Sequence, residues 1–308
     1  MSIQLNMCNL YIRDKVKNRG WEHVNFLHKC WNMMVVLWTD KKKIGKILGK
    51  KYCYLRQVEL VLTTKCSLRC KDCANLMQYY EHPYEIEKEK IINAINNLLL
   101  CVDEINTVVL VGGEPFLYKD ISEIIGYVAG LLKVNHIDIF TNGTIVPSQS
   151  AAPALQDPKV RIMISDYGKI SRKKYELQDY CQKNKIRYHL KNEDLFWGYV
   201  GDMQFRGRTN RQLCRQFKKC NNFCRSILKG KLFYCPRAAH GDDLGYVDTM
   251  ENEYVDLLKG NVSKKDILKI VYSEHFFSAC NYCNYGTKEM VPVIPGIQVY
   301  GNEKEEIS

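Results

Sequence analysis

Short apolar segments alternate with helical segments through the middle of this 308-residue chain. Runs rich in aliphatic and β-branched residues predict strands at 57–62, 106–111, 136–140, 160–165 and 186–190. Apolar residues at helical spacing predict helices over 85–102, near 121–132 and around 171–184. Strands that alternate with helices form a parallel sheet, either a βα barrel or a doubly wound sheet. In both architectures the loops that follow the strands carry the chemistry.

The composition is that of an ordinary globular protein. Hydrophobic residues make up 46% of the chain, and the longest apolar run, residues 33–38, is far too short to cross a bilayer. No charged segment followed by an apolar one opens the chain, so we expect no secretory signal, no membrane span and a cytoplasmic location. Lysine and arginine exceed aspartate and glutamate by 45 to 34, which favours an anionic partner such as a phosphorylated substrate.

Three cysteines follow the first predicted strand within the sequence TTKCSLRCKDCAN: Cys66, Cys70 and Cys73. Structural zinc takes four protein ligands, and with His82 as the fourth this loop would bind zinc. If the loop instead holds a [4Fe–4S] cluster, three thiolates leave one iron without a protein ligand. That iron would be open to a small molecule with nitrogen and oxygen donors.

Two further loops at predicted strand ends carry unusual residues. Gly112, Gly113, Glu114 and Pro115 follow the second strand, and two adjacent glycines allow a close backbone approach. Polar residues end the third and fourth strands: Thr141, Asn142 and Ser165. The serine is also a common helix cap, and the glycine segment by itself would be an ordinary tight turn.

The three loops together resemble the radical S-adenosylmethionine (SAM) superfamily. In that family the cysteines hold a [4Fe–4S] cluster whose open iron chelates SAM, the glycine segment binds the SAM amino group, and polar residues at strand ends meet the ribose. The resemblance implies an α/β fold, a partial (β/α)6 TIM-like barrel, over residues 55–200. It also implies reductive cleavage of SAM to a 5′-deoxyadenosyl radical that abstracts hydrogen from a substrate.

One position departs from the family pattern. Many members have an aromatic residue or histidine before the third cysteine, where it packs on adenine, whereas this chain has Asp72. A carboxylate does not stack, so adenine contacts would come from the backbone or from Tyr79 and Tyr80.

A second group of cysteines lies beyond residue 200. Four of them have the spacing of an auxiliary-cluster domain of the SPASM or twitch type: Cys220, Cys235, Cys280 and Cys283. A hairpin turning at Lys229 and Gly230 would separate the first two. Cys214 and Cys224 compete with Cys220 for the first position. Four thiolates complete the shell, so this second [4Fe–4S] cluster would have no open iron; a structural zinc site is the alternative.

These assignments divide the chain into four parts. We predict a basic N-terminal extension at 1–54, the barrel at 55–200, a small cysteine-rich β-hairpin/α cluster-binding domain at 201–295 and a polar tail at 296–308.

The single auxiliary cluster resembles that of aminocyclitol dehydrogenases, where it accepts the electron left on a substrate radical. The reaction implied is a two-electron oxidation of a sugar, cyclitol or phosphorylated metabolite, with flavodoxin or ferredoxin as electron donor.

Residues after Cys235 are candidates for substrate contact. Arg237 would meet an anion, and His240, Asp242 or Asp243 would supply a base.

Two other functions remain open. One is modification of a peptide by a radical SAM enzyme; the other is a zinc-containing nucleic-acid-binding protein, with residues 206–220 as a basic footprint. The glycine segment after the second strand disfavours the latter, so nucleic acid is not the expected partner.

Overall fold

The computed structural model describes residues 52–191 and 197–299. The described residues from Leu55 onward belong to one compact unit. Most of the predicted N-terminal extension and the end of the predicted polar tail lie outside the described residues. Within the described part of the chain, no helix combines the length and the apolar character needed to cross a membrane.

Ten strands and seven α-helices make up the described residues. The strands are β1 (Tyr54–Thr63), β2 (Glu104–Gly112), β3 (Val134–Thr141), β4 (Val160–Ser165), β5 (Tyr188–Lys191), β6 (Trp197–Gly198), β7 (Cys224–Leu228), β8 (Lys231–Phe233), β9 (Tyr254–Asp256) and β10 (Pro292–Val293). The helices are α1 (Lys88–Cys101), α2 (Ile121–Ala129), α3 (Ala152–Leu155), α4 (Lys174–Lys183), α5 (Asn210–Lys219), α6 (Pro236–Asp243) and α7 (Lys264–Val271). All five strands predicted within the barrel are present, with boundaries shifted by a few residues.

Eight strands form one sheet in the order β5-β4-β3-β2-β1-β7-β8-β9. The pairs from β2 to β5 are parallel, which confirms the predicted parallel sheet, and a partial barrel is consistent with this order. A sixth parallel strand, β7, pairs with β1, with Gln57 opposite Cys224 and Leu60 opposite Ile227. β8 and β9 then continue the sheet antiparallel. The strand beside β1 therefore comes from the cysteine-rich part of the chain.

Helix α1 covers the outer face of β1 and β7. Ile91 and Ala94 of α1 line a small void together with Leu60 and Ile227, and all four side chains are buried. Burying one such aliphatic side chain contributes about 1.5–3 kcal/mol. This apolar contact stabilises β7 beside β1. Because the two strands are parallel, the segment after β7 lies at the same end of the sheet as the loop after β1.

The predicted hairpin at Lys229 and Gly230 is confirmed. It joins antiparallel β7 and β8, and both residues have positive φ, 49° and 82°. Two successive positive φ values match the twist of the flanking strands. A Cβ on Gly230 would lie 2.5 Å from the side chain of Leu258, so a larger residue there would displace that side chain. The Lys229 amino group pairs with Asp243 at 2.6 Å, which ties the turn to α6.

Candidate functional site

The loop after β1 gathers the three predicted ligands. Backbone bonds from Cys73 N to Cys70 O (3.3 Å) and from Leu76 N to Cys73 O (3.1 Å) fold it back on itself. Burial, and then the charges of Cys73, Glu114 and Cys70, raise the pKa of Cys66 to about 12. Burial raises the pKa of Cys70 to about 11. Deprotonating three close, partly desolvated thiols costs free energy unless a metal offsets the negative charge. The donor set therefore fits an iron–sulfur cluster.

The glycine segment after β2 lies directly against this loop. A Cβ on Gly112 would come 2.3 Å from Thr63 O, and one on Gly113 would come 2.3 Å from Lys65 O and 2.6 Å from Cys66 Cβ. Gly113 N donates to Thr63 O and Glu114 N donates to Lys65 O, both at 2.9 Å. The glycines thus allow close approach to the cysteine loop itself. Their role in binding SAM stays a prediction.

Glu114 connects the glycine segment to the end of β3. Its side chain is fully buried and accepts hydrogen bonds from Asn142 N (2.9 Å) and Phe116 N (3.2 Å). Burial raises the pKa of Glu114 to about 7. Pro115, also buried, begins a 3-10 turn at this point. A glutamate here therefore has a clear structural role whether or not SAM is bound.

Asn142 links β3 to the cysteine loop. Its Nδ2 donates to Ser67 Oγ at 3.0 Å and lies 3.8 Å from Cys66 Sγ, while its Oδ1 accepts from Thr144 N at 3.0 Å. Thr141 Oγ1 accepts from Gly143 N at 3.3 Å, so the threonine hydroxyl serves the turn. The residues predicted at the end of β3 and those of the loop after β1 do converge.

Ser165 ends β4, and the next loop carries a residue that the sequence analysis missed. Burial, and then the charges of the nearby cysteine thiols, raise the pKa of Tyr167. Its ring packs edge-on against Trp197 with centroids 5.4 Å apart. Tyr167 therefore lies beside the cysteine loop and is an aromatic candidate for contact with a bound cofactor. Its position two residues after a strand end was the available signal.

The first residues of the predicted polar tail pair with the cysteine loop. Lys71 N donates to Ile297 O and Val299 N donates to Arg69 O, both at 2.7 Å. The side chain of Gln298 donates to Cys70 Sγ at 3.3 Å. Nothing in the local sequence indicated this pairing, because it joins residues 228 positions apart.

Tyr79 and Tyr80, predicted as adenine contacts, face α6 and the loop after it. Tyr80 Oη donates to Asp243 at 2.8 Å and lies 2.9 Å from His240 Nδ1. Tyr79 packs edge-on against Tyr246 with centroids 5.4 Å apart. These partners engage both tyrosines, which leaves Tyr167 as the better-placed ring near the cysteine loop.

The second group of cysteines is assembled from three separate segments. Cys220 follows α5, Cys235 precedes α6 and accepts from Ala238 N at 3.4 Å, and Cys280 and Cys283 lie at a 3-10 turn. Burial raises the pKa of Cys280, and the charges of Cys235, Cys283 and Cys220 raise it further. Burial likewise raises the pKa of Cys235 to about 12. The fold thus places four thiols close enough to act on one another.

The two competing cysteines lie elsewhere. Cys224 is buried on β7, where the charges that act on it come from Glu59 and Arg225. Cys214 is exposed on α5. Of the three alternatives, Cys220 is the one that the structure brings to the other cysteines. Its ligation of a cluster stays a prediction.

The zinc alternatives depend on a tighter arrangement of donors. Within residues 52–191 and 197–299, no three His, Cys, Asp or Glu side chains lie close enough to hold a single metal ion. An iron–sulfur cluster offers a separate iron to each thiolate. His82, the fourth zinc ligand considered for the first loop, is exposed.

Cationic and amide side chains hold the loop of Cys280 and Cys283. Arg237 Nε donates to Tyr282 O at 2.9 Å, and Arg208 and Gln216 donate to Cys283 O at 2.7 and 2.8 Å. Burial raises the pKa of Cys283, and the guanidinium groups of Arg237 and Arg208 oppose that shift. One buried nitrogen of Arg237, Nη1, has no hydrogen-bond partner among the described residues. An unpaired cationic donor near half-buried thiols fits an anionic cluster.

His240 and Asp243 form a buried network with the segment after the first cysteine loop. Burial lowers the pKa of His240 to about 4, so its imidazole is neutral near pH 7. Asp243 accepts hydrogen bonds from Tyr80 and Tyr84 and pairs with Lys229. Because Tyr80 Oη donates its hydrogen bond to Asp243, the same oxygen accepts from a protonated His240 Nδ1. His240 Nε2 is then a bare acceptor, and it has no partner among the described residues.

The other predicted substrate contacts have structural partners. Asp242 pairs with Lys231 at 3.1 Å near the surface. Arg237 Nη2 donates to the backbone carbonyls of Tyr282 and Gly201. Of the residues after Cys235 that were predicted to act on a substrate, His240 alone combines deep burial with an unpartnered ring nitrogen.

Comparison with known proteins identifies one family and several relatives. Residues 60–165 match the radical SAM superfamily. A curated GTP 3′,8-cyclase of Stenotrophomonas maltophilia is 33% identical over 102 residues, 32% of this chain and 29% of that protein. The enzyme of the same name from Clostridium acetobutylicum is 33% identical over 103 residues, 33% of this chain and 31% of that protein. The chain thus matches less than a third of the length of each of these curated relatives.

Among solved structures, BtrN in complex with AdoMet and 2-DOIA aligns with 77% of this chain and 97% of its own, with a TM-score of 0.45 and 16% identity.

Proposed function

We propose that this chain, whose residues 60–165 match the radical SAM superfamily, binds a [4Fe–4S] cluster through Cys66, Cys70 and Cys73 and holds SAM on its open iron. The observation that carries the proposal is the convergence of three strand-end loops on the cysteines. Gly113 packs on Cys66, and Asn142 donates to Ser67 at 3.0 Å. The cluster and SAM, when bound, would supply a carbon radical that removes hydrogen from a substrate.

A second [4Fe–4S] cluster is proposed on Cys220, Cys235, Cys280 and Cys283. Its support is the set of four half-buried thiols whose charges act on one another, together with the nearby Arg237, whose Nη1 has no partner among the described residues. Four thiolates leave no iron open, so this site would serve electron transfer and not substrate binding. It would accept the one electron that remains after hydrogen abstraction. The overall reaction is then a two-electron oxidation of the substrate.

Oxidation of a carbinol or amine carbon also releases a proton, and His240 is proposed as its acceptor. The imidazole is neutral, and its Nε2 has a free lone pair while Nδ1 faces Tyr80 at 2.9 Å. Asp243, held by Lys229, orients Tyr80 and so fixes the tautomer. Protonation at Nε2 would place the new charge where Asp243 offsets it.

The proposed substrate is a small molecule such as a sugar, cyclitol or phosphorylated metabolite. The charge of +11 supports an anionic group on it. GTP is a second candidate, because the curated relatives are named for a reaction of GTP. Their similarity covers about a third of this chain and less than a third of their own length, so it gives weak support for the substrate. A low-potential flavodoxin or ferredoxin is the proposed reductant.

The decisive experiment counts iron and acid-labile sulfide per chain after anaerobic reconstitution. We expect about eight irons in the wild type and about four in the C66A/C70A/C73A variant, with loss of 5′-deoxyadenosine formation. The C280A/C283A variant should also hold about four irons but still form 5′-deoxyadenosine. C214A, which removes an exposed thiol, is the matched control and should keep the iron content of the wild type.

A wild type with about four irons that fall to none in C66A/C70A/C73A would remove the second cluster and with it the internal electron acceptor. Reconstituted protein without iron, or with zinc in its place, would refute both sites. The substrate class is tested by adding sugars, aminocyclitols, sugar phosphates and GTP in turn. A substrate should raise 5′-deoxyadenosine formation above the background. When the reacting carbon of that substrate carries deuterium, the deuterium should appear in the 5′-deoxyadenosine.

A further inference from the structure

A concentration of positive charge lies next to the second group of cysteines. Residues 204–223 contain six lysines and arginines and no aspartate or glutamate. The whole chain has a net charge of +11, so this short segment carries more than half of the excess. All six lie on α5 or just before it: Arg206, Arg208, Arg211, Arg215, Lys218 and Lys219.

Only two of these cations bind other residues within the described part of the chain through their side chains. Arg206 pairs with Asp202 at 2.6 Å, and Arg208 donates to Cys283 O at 2.7 Å. The other four are exposed and form no ion pair with any residue in 52–191 or 197–299. They constitute what we call the basic ridge: Arg211, Arg215, Lys218 and Lys219. Their spacing of four, seven and eight residues from Arg211 places them along one face of the helix.

The opposite face of the same helix holds the second cysteine group. Gln216 donates to the carbonyls of Cys280 (3.1 Å) and Cys283 (2.8 Å), and Cys220 follows the helix directly. Phe217 packs on Tyr234, which precedes Cys235, with ring centroids 5.1 Å apart. An α-helix with its side chains is about 10–12 Å across, so the ridge and the cysteine loop are separated by one helix diameter.

The ridge is not explained by helix stability. Lys218 and Lys219 favour the helix dipole because they lie in the last turn, but Arg211 lies in the first turn, where a cation is unfavourable. Arg211 and Arg215 are also like charges four residues apart, as are Arg215 and Lys219, and such pairs destabilise a helix. An uncompensated stripe of this kind fits an external anionic surface that neutralises it.

We propose that the basic ridge docks an acidic one-electron carrier protein of the flavodoxin type and places its cofactor near the second cysteine group. This inference rests on the proposed second cluster. The electron left there by substrate oxidation would pass to the flavin, which takes up one electron and one proton, and the site returns to its oxidised state. A carrier protein is favoured over single-stranded nucleic acid because the exposed face of α5 has no aromatic ring on which bases stack; Phe217, its one aromatic residue, is buried.

The test is a binding titration of the anaerobically reconstituted full chain with an oxidised, acidic flavodoxin at 50 mM and 300 mM salt. The R211E/R215E/K218E variant reverses three ridge charges. A matched control, K183E/K259E/K265E, reverses three exposed lysines away from α5 that form no ion pair with described residues. We expect the ridge variant to raise Kd at least tenfold at low salt, about 1.4 kcal/mol, and the control less than threefold.

The R211K/R215K variant keeps the charge and should bind like the wild type, which separates docking from damage to the helix. Electron transfer is followed by stopped flow in the C66A/C70A/C73A background, where the second site alone is reduced. There the ridge reversal should slow flavin reduction at least tenfold. All ridge variants should form 5′-deoxyadenosine with dithionite as reductant at the wild-type rate.

An unchanged Kd for the ridge variant would overturn the proposal, as would equal weakening by the ridge and control reversals. Tighter binding of a single-stranded oligonucleotide than of flavodoxin, lost in the ridge variant, would assign the ridge to nucleic acid instead. Iron analysis of the wild type tests the second cluster separately from the docking surface. A chain that holds about four irons and still binds flavodoxin through the ridge would refute the second cluster but not the docking surface.

Discussion

Replacing Gly113 by alanine would place a methyl group in the contact between the glycine segment and the cysteine loop. Its Cβ would lie 2.3 Å from Lys65 O and 2.6 Å from Cys66 Cβ. Both neighbours belong to the backbone or to a side-chain atom fixed by it, so no flexible group can turn aside. Lys65 O would have to retreat by about 1 Å to reach an ordinary van der Waals contact of 3.4 Å.

That displacement acts on two hydrogen bonds as well as on packing. Gly113 N to Thr63 O and Glu114 N to Lys65 O are both 2.9 Å long. Losing each costs about 1 kcal/mol, and overpacking against backbone adds about 1–3 kcal/mol. We therefore expect G113A to lower the free energy of unfolding by about 3–5 kcal/mol. We also expect it to disturb the position of Cys66.

Urea unfolding under anaerobic conditions and iron content after reconstitution measure the two effects. G113A should retain about four irons, those of the second site, and form little 5′-deoxyadenosine. G126A is the matched control because a Cβ there would meet nothing within 4 Å. In the interior of α2 alanine is preferred to glycine, so G126A should be neutral or more stable by about 0.5–1 kcal/mol.

The reasoning would be refuted by a G113A variant that unfolds within about 1 kcal/mol of the wild type and keeps all its iron. That result would mean that the cysteine loop moves freely relative to the glycine segment. A loss of stability in G126A equal to that in G113A would show that any added methyl is harmful and would remove the argument from close contact.

Three further changes test other parts of the site. C220A should lose about four irons whereas C224A should keep them, as iron analysis would show; equal losses would contradict the choice of Cys220. Because the His240 pKa of about 4 lies below its ordinary 6.5, the unfolded chain takes up the proton first and stability falls as the pH is lowered from 7 toward 4. From pH 7.5 to 5, urea unfolding should show the wild type losing about 2 kcal/mol more than H240Q, and equal losses would place the imidazole in solvent. K174M leaves the Asp166 carboxylate buried without its 2.6 Å partner, so the free energy of unfolding should fall by about 3–5 kcal/mol, and an unchanged thermal midpoint would contradict that burial.

Local patterns in the sequence predicted the elements that carry the first site. Strand and helix alternation placed the loops containing Cys66, Gly113 and Asn142 at neighbouring strand ends, and parallel strands bring such ends to one edge of a sheet. The turn at Gly230 was also predictable, because glycine readily adopts the positive φ that a two-residue hairpin turn needs. Each of these predictions needed only a few consecutive residues.

Other contacts at the site had no local signal. Tyr167 and Gln298 reach the cysteine loop through the sheet order and through a backbone pairing with the last described residues. His240 was predicted as a base from its neighbourhood alone, but its burial and its bond to Tyr80 depend on the position of α6 against β7. Arg237 donates to the backbone of Tyr282, a contact between residues 45 positions apart that had no local signal, and its predicted contact with a substrate stays a prediction.

The sequence by itself determined the alternation of strands and helices, the three-cysteine loop and the residues that turn the chain after each strand. The tertiary structure decided which edge of the sheet takes β7, and therefore that Cys220, Cys235 and the pair Cys280 and Cys283 meet. The physical reason is that periodicity and turn chemistry act over a few residues. The pairing of distant strands depends on which edge and which apolar face remain uncovered once the nearer elements have packed.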